Sequence, residues 1–254
     1  LLRLMPYDPV RLAHEIERVV VKGNLKKYYR TARAGRWYGG IATADCCGCC
    51  LRCVFCWSGA PRDSPESVGR FYSPQQIFNG LMACAKRFGY GQIRVSGNEP
   101  TIGREHLLEL LELIDQTRYK FVLESNGMLI DPEYAERLSK FKRVHVRISV
   151  KGTNREEFSL LTEAVPEAFD LQLNAIRNLL DAGVSCHPAV MLSFSAENNL
   201  EVLKRRLREI NARLVSGVEE EYVFLYPHVV RRLNKAGIEP RIAYSPDRIP
   251  RELV

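Results

Sequence analysis

The chain has 254 residues, 46% of them hydrophobic, with 37 Lys and Arg against 30 Asp and Glu, a net charge of +7. Such a chain builds one substantial α/β core, and no run reaches the roughly 18 consecutive apolar residues of a membrane span, which excludes a membrane protein from the expectation. Residues 1–6 are too short for a signal peptide, so a cytoplasmic location is expected; the basic balance favours an anionic partner, nucleic acid among the candidates.

Asp8-Pro9 caps and starts a helix whose apolar positions Leu12, Ile16, Val19 and Val20 follow helical spacing, and Gly23 ends it. A basic connector follows, in which Lys26, Lys27, Arg30, Arg33 and Arg36 interleave with Tyr28, Tyr29, Trp37 and Tyr38. Aromatics among cations can stack on RNA bases as well as pack on a core. Residues 39–44 form a short apolar run of strand length that delivers the chain into a cysteine cluster. Further strands are expected at 92–96, 120–125, 143–150, 185–192 and 221–225, with helices between them. Helix starts are marked by the capping box Ser73-Pro74-Gln75-Gln76, by Asp131-Pro132 and by a second box at Thr153-Asn154-Arg155-Glu156. Leucines 107, 108, 110, 111 and 113 mark a buried helix, and Lys204-Arg205-Arg206-Leu207-Arg208 reads as the solvated face of another.

Strands alternating with helices require crossover connections, hence a mainly parallel sheet with ligands at the carboxyl ends of its strands. Six strands are fewer than the eight of a closed barrel, so the expected α/β architecture is a partial (β/α)6 barrel. Its organisation is a helical and basic N-terminal extension over 1–38, a core over 39–226 and a C-terminal tail over 227–254 packing on the core.

Six of the eight cysteines fall between residues 46 and 56, in Asp45-Cys46-Cys47-Gly48-Cys49-Cys50-Leu51-Arg52-Cys53-Val54-Phe55-Cys56-Trp57. A disulfide framework does not explain that density in a chain of this length, whereas a metal or cluster site does. Two registers fit the spacing C-x3-C-x2-C: Cys49, Cys53, Cys56 and Cys46, Cys50, Cys53. Three thiolates on a four-iron cluster leave one iron open to another ligand. The competing structural zinc site wants four ligands, commonly in C-x2-C pairs.

This segment resembles the signature of the radical S-adenosylmethionine (radical SAM) superfamily, which has an aromatic residue just before the third cysteine. Phe55 fills that place, so the resemblance implies Cys49, Cys53 and Cys56 as cluster ligands, with Cys46, Cys47 and Cys50 as additional buried thiols. Gly97-Asn98-Glu99-Pro100 resembles the superfamily's Gly-Gly-Glu-Pro segment, with Asn98 in place of the second glycine. Ser125-Asn126-Gly127 is similar to its Thr-Asn-Gly, and Ser149-Val150-Lys151 to the Asp-x-Lys of glycyl-radical-activating enzymes, with Ser149 in place of the acid. The resemblance implies that these residues bind S-adenosylmethionine. Cys84, Cys186, His187 and His228 read as structural.

The resemblance further implies a radical SAM fold, a [4Fe-4S] cluster and S-adenosylmethionine as cofactors, and an external one-electron donor of ferredoxin or flavodoxin type. The implied reaction is reductive cleavage of S-adenosylmethionine to a 5′-deoxyadenosyl radical that abstracts hydrogen from a macromolecular substrate, an RNA base or a protein residue. The wyosine-base tRNA synthases and the glycyl-radical-activating enzymes share the partial likeness. The alternatives are a small-molecule radical enzyme of cofactor biosynthesis and a non-catalytic iron–sulfur or zinc protein that binds RNA.

Overall fold

Along Gln92-Ile93-Arg94-Val95-Ser96 and Val144-His145-Val146-Arg147-Ile148-Ser149, apolar residues alternate with polar ones, and a period of two sends the two sets to opposite faces of a sheet. A computed structural model, describing residues 5–250, shows that this alternation builds a curved sheet with an apolar outer face and a charged inner one. Residues 1–4 and 251–254, which carry the start of the apolar opening and the end of the expected tail, lie outside the described residues.

In chain order, helix α1 (Pro9–Val20) leads into strands β1 (Val21–Lys22), β2 (Leu25–Gly35) and β3 (Ile41–Cys46). After the cysteine loop come α2 (Ala60–Asp63), β4 (Arg70–Tyr72), α3 (Pro74–Phe88), β5 (Gln92–Ser96), α4 (Arg104–Asp115), β6 (Lys120–Ser125) and α5 (Pro132–Ser139). The second half is β7 (Val144–Val150), α6 (Arg155–Thr162), α7 (Phe169–Asp181), β8 (Cys186–Met191), α8 (Glu197–Ile210), α9 (Arg213–Ser216) and β9 (Glu219–Glu221). It closes with β10 (Val223–Phe224), α10 (Pro227–Ala236) and β11 (Ala243–Tyr244).

Strands β3, β5, β6, β7, β8 and β9 pair in parallel in that order, the six strands and crossovers expected of a partial barrel. Registers such as Thr43 with Arg94, Glu124 with Arg147, and Arg147 with His187 put the charged set on one face. The other face carries Ile93, Val95, Phe121, Leu123, Val146, Ile148 and Val190, all fully buried under the helices. Each such aliphatic side chain withdrawn from water contributes roughly 1.5–3 kcal/mol, which fixes the sheet's inside-out sense.

Asp8 caps α1, its carboxylate accepting from Val10 N at 2.8 Å and Arg11 N at 3.2 Å. The Ser73 box forms with both of its hydrogen bonds. The second box is displaced by one residue: Asn154 is the cap, accepting from Glu157 N at 2.8 Å, while Glu157 reaches back to Thr153 N and Oγ1.

Two expectations are corrected. The basic stretch is not a connector: Leu25–Gly35 is an eleven-residue strand antiparallel to β3, extending the sheet beyond the first core strand. It buries Lys26, Lys27 and Tyr28, which removes them from any RNA-binding surface. The sixth core strand is Glu219–Glu221, not 221–225, because Val223–Phe224 pairs instead with Ala243–Tyr244 in a separate two-stranded sheet. Trp37, just before β3, stacks on Phe224 with centroids 5.8 Å apart. Among the described residues no helix is long and apolar enough to cross a membrane.

Candidate active site

The cysteine loop leaves the carboxyl end of β3 and is fixed by backbone bonds on several sides. Cys47 N donates to Lys27 O at 2.9 Å, Gly48 N to Pro61 O at 3.0 Å, and Val54 N to Leu161 O at 2.9 Å. Tyr7 accepts from Arg52 N at 2.9 Å and donates to Thr162 O at 3.0 Å, pinning the loop from the other side. From α10, Arg232 donates to the carbonyls of Cys56 and Ser58 and pairs with Asp63, while His228 donates to Trp57 O at 2.6 Å. A segment without regular structure therefore has a single geometry, imposed by tertiary partners.

All eight cysteines are free thiols. Cys53 feels Cys56 and Cys49 as neighbours, and Cys56 feels Cys49. Burial pushes the Cys53 thiol up to about 12, opposed by Lys151 and Arg62. It also raises Cys56, opposed by Arg62 and Arg232. A hydrogen bond from Cys50 lowers Cys49, with burial acting against it and Arg52 in support. Four cations thus surround the three thiols of the Cys49, Cys53, Cys56 register, as an anionic thiolate set requires. Cys46 and Cys47 face elsewhere: burial raises both, with Lys26 acting on each. Cys50 lies between the groups, 3.3 Å from Asn126 Nδ2, which is 3.7 Å from Cys49 Sγ. Among the described residues no three His, Cys, Asp or Glu side chains converge on a single ion. A four-iron cluster distributes its thiolates over separate irons and does not need that convergence.

The turn after β5 packs against this loop. Gly97 has φ of 95°, and a Cβ there would come within 2.9 Å of Asp45 Cβ and 3.0 Å of the Tyr29 hydroxyl. Glycine is required by close packing as well as by the left-handed backbone. Glu99 N donates to Gly48 O at 3.0 Å, and Asn98 Nδ2 donates to Cys46 O at 2.9 Å.

The Glu99 carboxylate is fully engaged inside the protein, accepting from Thr101 N and Oγ1, Ser125 Oγ and Asn126 N. Its partner Ser125 also accepts from Gly127 N. These two residues tie the ends of β5 and β6 together and present backbone, more than side chain, to a ligand. Lys26, fully buried, donates to the carbonyls of Glu99 and Pro100 at 2.9 Å each and to that of Ile102. Gln172 bridges the next strand ends, donating to Asn126 O at 2.9 Å and Ser149 O at 2.8 Å and accepting from Lys151 N at 3.1 Å.

Lys151 Nζ lies 3.4 Å from Glu221 Oε2 and 5.9 Å from the centre of the Phe55 ring, which packs on Phe194. Ser149 accepts from Arg147 Nη1 at 2.9 Å. Beneath them the inner face is a network of pairs. Arg33 holds Asp45 through both oxygens, Arg94 binds Glu124, and Arg147 binds Glu219 at 2.7 Å and Glu221 at 2.8 Å.

Among the described residues, two buried side-chain atoms have no partner: Asn98 Oδ1 beside the cysteine loop and Ser58 Oγ within it. An unpaired buried acceptor costs about 1–3 kcal/mol.

The sequence profile of the Radical SAM superfamily matches residues 45–207. The chain belongs to the radical SAM superfamily. The cofactors of this enzyme superfamily are a [4Fe-4S] cluster and S-adenosylmethionine, and the free cysteines between 46 and 56 suit the first. A probable GTP 3′,8-cyclase of Saccharolobus islandicus is 30% identical over 164 residues, covering 63% of this chain and 46% of that protein. The mycofactocin maturase MftC of Mycolicibacterium smegmatis is 30% identical over 137 residues, covering 53% and 32%. The chain thus spans less than half the length of these curated relatives.

Among solved structures, Streptococcus suis SuiB bound to S-adenosylmethionine superposes with a TM-score of 0.54 at 18% identity, covering 74% of this chain and 44% of that one. A radical SAM methyltransferase from Sphaerobacter thermophilus gives 0.54 at 16%, covering 82% and 67%. These similarities establish the shared fold.

The sequence missed Tyr7, Lys26, Gln172 and Arg232 as residues that position the site. No local signal marks them. The charged inner face was signalled by single polar residues recurring at every second position of otherwise apolar strands.

Proposed function

We propose that the protein cleaves S-adenosylmethionine reductively and directs the resulting radical at a polar group of a macromolecular substrate seated on the inner face of the barrel. The observation that carries this reading is the column of ion pairs lying directly below the cysteine loop. In this reading Cys49, Cys53 and Cys56 hold the cluster, and Arg52, Arg62, Lys151 and Arg232 offset its negative charge. Asn98 Oδ1 accepts from the ammonium of S-adenosylmethionine, and Lys151 faces its carboxylate. When bound, the cluster and S-adenosylmethionine supply a carbon radical able to take hydrogen from an unactivated position.

The chain's residues bind, orient and exclude water. Gln172 and Glu99 fix the strand ends against one another, Phe55 covers the loop from below, and Arg94, Arg147 and their carboxylates hold the substrate group by polar contacts. The electron comes from an external donor of ferredoxin or flavodoxin type.

A protein or peptide residue is favoured over an RNA base, because burial of Lys26, Lys27 and Tyr28 takes three members of the basic aromatic stretch out of any RNA surface. The maturase relative agrees with this choice. A small anionic substrate is the second reading, favoured by the inner-face arginines and by the GTP cyclase relatives.

Anaerobic reconstitution with iron and sulfide, followed by S-adenosylmethionine and dithionite, should yield 5′-deoxyadenosine. An intact four-iron cluster that yields none overturns the reading. Stimulation by a peptide pool and not by nucleoside triphosphates supports the first substrate class; the reverse supports the second.

A further inference from the structure

At the amino ends of the core strands, four side chains stand in one hydrogen-bonded line. Ser185 Oγ is 2.7 Å from His145 Nδ1, His145 Nε2 is 2.7 Å from His187 Nδ1, and His187 Nε2 is 2.9 Å from Glu219 Oε2. The two imidazoles lie nearly parallel, with an interplanar angle of 19° and centroids 4.9 Å apart. One end is exposed, since Ser185 and His145 both border a cleft of about 270 Å³ lined also by Lys120, Lys142 and Arg143. The other end lies on the inner face and is half-buried: Glu219, its side chain 35% exposed, shares Arg147 with Glu221, and Glu221 meets Lys151 near the cysteine loop.

The direction of the line follows from its inner end. Burial works against ionisation of Glu219, but hydrogen bonds from His187 and Arg147 outweigh it and lower the carboxyl to about 2. An ionised carboxylate only accepts, so His187 Nε2 carries a proton, and in the neutral ring that leaves Nδ1 bare as the acceptor. Then His145 Nε2 carries a proton, its Nδ1 is bare, and Ser185 donates. Every proton in the chain points from the cleft toward the inner face.

We propose that Ser185, His145, His187 and Glu219 form a proton relay that supplies the inner face of the barrel from solvent at the opposite end to the cysteine loop. The proposal rests on the reading that the substrate sits on that inner face. In one passage the Ser185 proton moves to His145 Nδ1, the His145 Nε2 proton to His187 Nδ1, and the His187 Nε2 proton to Glu219, while water restores the proton on Ser185. One proton enters and one arrives, no imidazole keeps a charge, and no electron moves. Glu219 then gives its proton to an oxygen or nitrogen of the substrate group, and rotation of the two rings resets the line.

The surroundings suit such passage. Burial, His187 and Lys120 push His145 down to about 4, with Glu219 opposing, so the ring stays neutral near neutral pH and does not trap the proton. Lys142 and Arg143 line the cleft, and Arg147 faces Glu219 from the same strand as His145. The cysteine loop leaves the opposite, carboxyl end of β3. The hydrogen-bonded line joins the cleft to Glu219 without a break.

The test is NMR of the full chain labelled with 15N-histidine. Near neutral pH both His145 and His187 should be Nε2–H tautomers, coupled through their shared hydrogen bond. Exchange of the bridging protons with water should slow about tenfold in Ser185→Ala, the factor carried by loss of one hydrogen bond, and recover in Ser185→Thr. Glu219→Gln, which can donate as well as accept, should mix the His187 tautomers. A bare Nε2 on either histidine in the unaltered chain, or exchange indifferent to Ser185→Ala, overturns the relay. None of these readings needs S-adenosylmethionine cleavage, so failure of the proposed function and failure of the relay remain distinguishable.

Discussion

The backbone N–H of Asn126 donates to Glu99 Oε2 at 2.8 Å, joining the turn after β5 to the end of β6. With Ser125 and Thr101 on the other oxygen, this carboxylate organises two of the segments that the cofactor is expected to touch. Replacing it by an amide sets an NH2 against N–H or O–H donors. Glu99→Gln should therefore lose about 2–4 kcal/mol of stability in denaturant unfolding, with weaker S-adenosylmethionine binding by equilibrium titration. Unchanged stability and binding together would remove Glu99 from this role.

Lys26 bears on the same turn from beneath. Lys26→Met preserves most of the packing volume but leaves the carbonyls of Glu99, Pro100 and Ile102 without their donor. We expect destabilisation of about 2–4 kcal/mol, and a larger proportional loss in S-adenosylmethionine affinity than in iron content. Equal losses in both would place the effect on the cysteine loop instead.

The cluster register is tested by paired variants. Cys56→Ala should lose the four-iron stoichiometry and the visible absorption of the reconstituted protein, whereas Cys46→Ala, facing Lys26 and Asn98, should retain both. Cys53→Ala is uninformative here because both registers contain Cys53. A full cluster in Cys56→Ala would overturn the assignment.

His106 gives the fold a pH dependence. Its Nδ1 lies 2.7 Å from Asn24 O and its Nε2 3.0 Å from the Tyr28 hydroxyl, and burial lowers its pKa to about 4 despite the bond to Asn24. The folded value lies below the ordinary histidine value near 6.5, so the unfolded chain binds the proton first. This contribution is fully present above about pH 6.5 and is lost as pH falls toward about 4. Between about pH 7.5 and about pH 5.5 the unfolding free energy should drop by about 1.4 kcal/mol from this residue, and His106→Gln should flatten that slope.

Arg147 is the hub of the inner face, nearly buried and bonded to Glu219, Glu221 and Ser149. Arg147→Met leaves Glu221 with Lys151 and Glu219 with His187 as their remaining partners and should cost about 2–4 kcal/mol. Removing Glu219 as well, in Arg147→Met with Glu219→Gln, should restore part of that loss. Additive losses would mean that the two residues do not act as a pair.

Much of the architecture was written locally. Strands Gln92–Ser96 and Lys120–Ser125 coincide with the expected ones, because Ile93 and Val95 alternate with polar residues and Phe121-Val122-Leu123 is a short apolar run of strand length. Caps at Asp8, Ser73 and Asp131 formed because they need only neighbours within one turn. The cysteine spacing determined the chemistry, since soft thiolates so close together have few other uses.

What the sequence left undecided depends on partners distant along the chain. Leu25–Gly35 is polar enough to pass for a loop; it becomes a strand because the edge of β3 offers it a ladder and because Lys26 and Lys27 find backbone carbonyls inside. Glu221 lies in the sixth core strand and Val223 in another sheet because β8 and β11 compete for one short segment. The sequence by itself determined a six-stranded α/β core through its periodicity and a thiolate loop through its cysteine spacing, and the resemblance of its motifs supplied the radical SAM family. Only the tertiary structure decided which side chains hold that loop and which charges meet on the inner face, because a hydrogen bond between Lys26 and Glu99 or between His145 and His187 exists only once the strands have been brought together.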